Sequence, residues 1–225
     1  MPRINVVKST RKPQGPCGKC GVEINKGDPY RWIKFRYGGK RVRCMKPTCS
    51  FRQSELVSSD KLSRLYAASE TVEDALALWT PNVSIDEMLE TAQAVADAVE
   101  EAMSEIEEVA QEYNDSADNI EQYFSYSETA EQCRESAESA ESWRDEFDNP
   151  LNDLQNALSE LEQYVSARKV QREAEAAQDN ADIVVTTMDG LQDMVSGADT
   201  AEPFDSGEIE NAISEIESAA SNCPL

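Results

Sequence analysis

The chain has 225 residues, a formal net charge of −23 and an isoelectric point near 4.3. It contains no histidine, which removes the commonest general base and the commonest metal ligand. With no run of about 18 apolar residues, no membrane span is expected.

The charge is unevenly divided. Residues 1–66 hold sixteen Lys or Arg against four Asp or Glu, and residues 67–225 hold five against forty. Such asymmetry reads as modules with different partners. Residues 1–16, MPRINVVKSTRKPQGP, are basic but lack the apolar core of a secretory signal. They are expected to form a flexible arm carrying Arg3, Lys8, Arg11 and Lys12. The expected compartment is the reducing cytoplasm, where clustered cysteines bind metal more often than they pair as disulfides.

Residues 17–57 hold four of the six cysteines, spaced C-x2-C-x23-C-x4-C as Cys17, Cys20, Cys44 and Cys49. Two thiolates two residues apart grip one ion only if the backbone turns tightly, and Gly18 and Gly21 allow that turn. Four thiolates about 2.3 Å from the ion close its coordination shell, so one structural Zn2+ with no open catalytic position is expected. Two disulfides, or four unlinked thiols, are the alternative. The local apolar set (Val22, Ile24, Ile33, Phe35, Val42, Phe51 and Leu56) is thin, which favours a module stapled by metal.

Between the cysteine pairs a β-hairpin is expected, with Tyr30–Tyr37 outgoing, Gly38-Gly39 as a two-residue turn and Lys40–Cys44 returning. Alternation places Ile33, Phe35 and Tyr37 on one face and Tyr30, Trp32, Lys34 and Arg36 on the other. A short helix is expected to begin within Ser50–Leu56. Cations pair with phosphates and exposed aromatic rings stack on bases. Lys34, Arg36, Lys40, Arg41, Arg43 and Lys46, with Tyr30 and Trp32 among them, are therefore the candidate contacts to DNA or RNA. Against this stands a plainer use of the same residues, with the aromatics as core and the cations solvated or paired with the acidic half. No long recognition helix is present to read base sequence.

The stretch Cys17-x2-Cys20 followed by Ile24-Asn25-Lys26-Gly27-Asp28 resembles the poly(ADP-ribose)-polymerase-type zinc finger, in which a cysteine pair precedes I-x-K-G and a hairpin. The resemblance covers residues 17–49 and implies a treble-clef-like zinc fold. That family closes its site with a histidine and a cysteine, whereas this chain offers Cys44 and Cys49, so its DNA-break recognition is not carried over. The overall layout, a four-cysteine finger joined to an acidic coil, resembles that of small tailed-phage proteins.

Residues 58–81 are expected as a linker of two short amphipathic helices, one with Leu62, Leu65 and Tyr66, the other with Val72, Ala75, Leu76 and Trp79, ended by Thr80-Pro81. Residues 82–225 form the acidic helical part. Ile85, Met88, Ala92, Val95, Val99, Ala102, Ile106, Val109 and Tyr113 recur at three- and four-residue steps, a coiled-coil seam. Ser84 and Glu87 form a capping box at its start. A helix over 84–122 would be about 58 Å long.

A second seam runs through Tyr126, Ala130, Cys133, Ala137, Ala140 and Phe147. Asp148-Asn149-Pro150 is expected to end that helix and open another. The third seam comprises Leu151, Leu154, Leu158, Leu161 and Val165, then Val170, Ala174, Ala177, Ala181, Val184, Met188, Leu191 and Val195. Residues 197–203 break it, and a last short helix carries Ile209, Ile213 and Ile216. The fold expected is mainly α, a small four-cysteine zinc module followed by an elongated antiparallel helical bundle or coiled coil.

No phosphate-cradling glycine loop or nucleophile motif is present, so no enzyme is expected. Two readings follow. One is a zinc-finger coiled-coil accessory protein, of phage origin, that binds nucleic acid non-specifically. The other is a structural or inhibitory factor whose acidic bundle, a candidate DNA mimic, binds a protein partner or self-associates, with the finger as a docking module.

Overall fold

The computed structural model describes residues 2–36, 38–80, 84–124, 126–182 and 204–224, with side chains at 171 and 173–182 left aside. The chain is mainly helical, with a small β region and the four-cysteine cluster at its N-terminal end. Strands β1 (Asn5–Val7), β4 (Tyr30–Lys34) and β5 (Lys40–Cys44) form an antiparallel sheet in the order β1-β4-β5. A second pair joins β2 (Gly15–Pro16) to β3 (Glu23–Ile24).

Residues 5–16 are held in the sheets rather than forming a loose arm. β1 sets Asn5, Val6 and Val7 opposite Trp32, Arg31 and Tyr30. Beyond it the Thr10 N–H donates to the Asp28 carbonyl (3.1 Å), and the Gly27 N–H donates to the Thr10 carbonyl (2.9 Å). The pairing satisfies an edge of β4 that would otherwise be open. Val7 packs against the cysteine core.

The hairpin is also built differently from the two-residue expectation. Its last pair is Lys34 with Lys40, so residues 35–39 form the connection. Neither Gly38 nor Gly39 takes a left-handed φ; instead the Gly38 N–H closes a turn on the Phe35 carbonyl (3.4 Å). Tyr37 lies outside the described residues. After Cys49 no α-helix begins at once: two 3-10 turns, Pro47–Cys49 and Ser54–Leu56, bracket an extended stretch.

Residues 60–76 form one helix, α1 (Asp60–Leu76), where two had been expected. Leu65, Tyr66, Ala68, Ser69, Val72 and Ala75 are all buried, a stripe at helical spacing that runs through the supposed gap. The polar Glu70 does not interrupt it, because its carboxylate accepts the N–H and hydroxyl of Ser54 (3.0 and 2.7 Å).

Helix α2 (Ile85–Glu121) follows the expected seam, with Met88, Ala92, Val95, Val99, Ala102, Ile106 and Val109 all buried. Its first turn is capped by Ser84, whose hydroxyl accepts the Glu87 N–H at 3.3 Å.

Helix α3 (Glu128–Asp182) runs unbroken through Pro150. The expected stop fails because Phe147, Pro150, Leu151 and Leu154 are buried in succession, and continuous packing offsets the helix-breaking cost of proline. Tyr126, expected on the second seam, is fully exposed, since the helix starts only at Glu128 and Tyr126 stays in the preceding loop. Trp143, absent from that seam, is buried at 2% exposure. Val170 is exposed. The later seam positions, Ala174, Ala177, Ala181, Val184, Met188, Leu191 and Val195, and the break at 197–203 lie outside the described residues and side chains. Helix α4 (Gly207–Ser221) buries Ile209, Ile213 and Ile216 as expected.

The chain divides into two units. One comprises residues 1–71, 101–144 and 222–225, the other 72–100 and 145–221. This division cuts through α1, α2 and α3, whereas composition sets residues 82–225 apart. In the first unit α2 and α3 run antiparallel: Arg134 meets Asp118 at 2.9 Å, and Arg144 meets Glu107 at 3.8 Å. In the second, Gln155 on α3 bonds Glu100 on α2 at 2.7 Å. No helix among the described residues is long and apolar enough to cross a membrane.

Candidate metal centre and basic surface

Three local elements bring the four cysteines together. Cys17 follows β2, and its N–H donates to the Val22 carbonyl (2.8 Å) while its carbonyl accepts the Gly21 N–H (2.9 Å). Gly21 closes this turn at φ +70°, a conformation other residues rarely adopt. Cys44 ends β5, and Cys49 ends the first 3-10 turn, its N–H on the Lys46 carbonyl at 3.0 Å. The four sulfur atoms lie within 4.8 Å of one another, and Cys20 Sγ is 3.6 Å from Cys44 Sγ. A tetrahedron with bonds of about 2.3 Å has edges of about 3.8 Å, so this spacing suits one ion. All four are free thiols.

The electrostatics point the same way. Burial pushes the Cys17 thiol up, but backbone hydrogen bonds from Cys20, Cys44 and Lys19 outweigh it and bring the thiol down to about 6. One of these is a direct N–H to sulfur contact, from Cys44 to Cys17 Sγ at 3.3 Å. Burial, reinforced by the neighbouring Cys44, Cys20 and Cys17 sulfurs, pushes Cys49 up to about 12. Sulfurs this close cannot all carry charge unless a cation stands among them. Four soft donors fill a tetrahedral shell and leave no position for substrate. The cluster can therefore hold a metal ion in a structural role, and zinc suits this donor set.

The cluster is also the core of its module. Cys17, Cys44 and Cys49 pack with Ile24 and Tyr30, and Val7, Trp32 and Val42 cover them. Tyr30, expected on an exposed stacking face, is thus a core residue at 7% exposure. Pairing explains the difference. Tyr30 sits opposite Cys44 and Trp32 opposite Val42, so this face of the hairpin looks onto the metal site.

The six candidate cations do not share one face. Opposed residues share a face, so Lys34 and Lys40 project on the Tyr30 side, and Arg41 and Arg43 on the Ile33 side. Lys40 reaches over the Tyr30 and Trp32 rings (4.8 and 5.0 Å) and bonds the Gln14 side-chain carbonyl at 2.8 Å. Arg41 lies 5.6 Å from the centre of the Phe35 ring. Lys34, Arg36, Lys40, Arg41 and Lys46 are all exposed.

Arg43 differs: its side chain is 11% exposed, it is ion-paired with Glu55, and it lies over Phe51. Arg43 is a structural residue. Arg31, opposite it and missed at the level of sequence, straps β4 to the second cysteine pair by donating to Ser50 Oγ (2.6 Å) and the Met45 carbonyl (3.2 Å). The signal was present as two arginines meeting across a strand pair, an arrangement that needs compensating partners.

In the helical part of the same unit, Arg64 is enclosed by Glu105, Glu108 and Glu112, and hydrogen bonds to Glu105 and Glu112 hold its pKa above the usual arginine range. Tyr123, Phe124 and Tyr126 are exposed between α2 and α3. No protein-family model, curated protein or solved structure matches the chain.

Proposed function

We propose that the N-terminal module is a structural zinc finger that binds nucleic acid without sequence preference, through the exposed cations around its hairpin. One observation carries this reading. Lys34, Lys40, Arg41 and Lys46 are exposed and form no ion pair among the described residues, although the chain is rich in carboxylates. Lys34 and Lys40 even face each other across the strands, a like-charge pair that an anion would relieve. Screening over about 8 Å at physiological salt lets these cations act locally despite the chain's net charge of −23. In this reading the chain is a binding protein rather than an enzyme, and the acidic helices set its spacing and solubility. A phage origin, which the overall layout suggests, fits the same role.

The test is fluorescence anisotropy of the zinc-loaded full chain against labelled DNA over a salt series. Four phosphate contacts predict a slope of log affinity against log salt of about −3 to −4. Replacing Lys34, Lys40, Arg41 and Lys46 together by Glu should abolish binding while zinc content stays unchanged. Arg43 is left out of this variant because its loss would disturb the fold. Absence of binding, or binding insensitive to salt, would reject the reading.

A further inference from the structure

An open groove of about 730 Å3 lies beside the hairpin tip, within the size range of small-molecule sites, about 300–1,000 Å3. Phe35, Leu56, Val57 and Leu62 supply its apolar lining, and the cationic Lys34 and Arg36 also border it. Its walls are held in place. Gly38 lies so close to Phe35 that an added Cβ would meet the Phe35 Cβ at 3.2 Å. Leu56 is fixed in its 3-10 turn by an N–H bond to the Gln53 carbonyl (2.9 Å). Leu62 lies in the first turn of α1, where its N–H donates to the Ser59 hydroxyl (3.4 Å).

Building on the nucleic-acid reading above, we propose that this groove seats an unpaired base of a single-stranded nucleic acid, with Lys34 and Arg36 on the flanking phosphates. The juxtaposition is the argument. An apolar wall with an aromatic ring offers van der Waals and stacking contact to any base, because every base has a π-face. Cations at the same rim select a ligand that is flat and apolar in one part and anionic in the next. A base in a duplex is already stacked on both sides and cannot enter. The inference therefore adds a preference that phosphate contacts alone do not provide: single strand over duplex.

The experiment titrates the zinc-loaded full chain with labelled oligo-dT and with a blunt-ended two-strand duplex of equal phosphate number. Two variants are compared, Phe35→Ala and Ser58→Glu. Ser58 lines the groove, is exposed and has no hydrogen-bond partner among the described residues, so its replacement adds a carboxylate without disturbing the fold. The expected result is oligo-dT binding on the order of tenfold tighter than duplex. Each variant should remove that margin and leave zinc content unchanged. Phe35→Ala should also leave duplex affinity unchanged, whereas the carboxylate of Ser58→Glu, beside Lys34 and Arg36, lowers duplex affinity as well but by less than it lowers oligo-dT affinity. Equal binding to both ligands, with both variants silent, would overturn the groove inference and leave phosphate binding standing. Binding to neither would overturn both readings. Binding of an acidic peptide carrying one aromatic residue, with none of oligo-dT, would assign the groove to a protein partner and overturn the inference.

Discussion

Two like-charge pairs cross the same hairpin and meet different fates. Arg31 and Arg43 face each other near the metal site, and each is absorbed into the structure, Arg31 by Ser50 and Met45, Arg43 by Glu55. Lys34 and Lys40 face each other at the open end, where, among the described residues, Lys40 has only neutral partners and Lys34 has no ion pair. The first pair belongs to stability, and the second is the pair that the proposed function assigns to phosphate contact. Arg43→Ala should accordingly act through the fold. Removing a mostly buried guanidinium from its carboxylate costs about 2 kcal/mol. Because metal binding and folding of so small a module are coupled, the loss should appear as roughly thirtyfold weaker zinc affinity. Competition with a chromophoric chelator measures it; an unchanged affinity would mean the Arg43–Glu55 pair contributes nothing.

At the level of the element, Pro150 shows how packing overrides a local signal. Proline within a helix lacks the N–H owed to the carbonyl four residues back and costs about 3 kcal/mol relative to alanine. In α3 it is nonetheless buried between Phe147 and Leu154, and Asn152 adds a side-chain bond to the Asp148 carbonyl at 2.6 Å. Pro150→Ala restores the missing bond and loses part of the ring packing. The expected outcome is net stabilisation of about 1–2 kcal/mol, read as a rise of a few degrees in Tm. A lower Tm would show that the pyrrolidine ring is worth more to the core than the backbone bond. The same balance merges the two short helices expected over 58–81 into α1, since Leu65, Tyr66, Val72 and Ala75 bury one unbroken stripe.

For the whole molecule, the main question is what each part uses as its core. The finger is organised around cysteine sulfurs, with Ile24 and Tyr30 as the chief apolar filling. The helices are organised around ordinary side chains such as Val95, Val99, Ile106, Phe147 and Leu154, all essentially inaccessible to solvent. Removing the metal should therefore affect the two unequally. With EDTA, the near-ultraviolet signal and the fluorescence of Trp32 should change while most of the far-ultraviolet helical signal persists. Loss of the helical signal in parallel would mean that the helices depend on the finger for their fold.

Several features were legible from spacing. The cysteine pattern marks a four-thiol cluster because closely spaced donors need only a tight turn to converge. The seam of α2 and the apolar face of α4 follow from a helical period that any contiguous segment carries within itself. Other features depend on residues far apart in the chain. Tyr30 could be assigned to core or surface only once Cys44 was placed opposite it. Arg43 became structural through Glu55, and Asn5–Val7 became part of a sheet through β4. Pro150 and Tyr126 were misread for one reason: local propensity and periodicity say where a helix can start or stop, whereas burial against neighbouring elements sets where it does. A segment's period and metal-ligand spacing are local properties, while burial and ion pairing are made between segments and exist only in the folded chain.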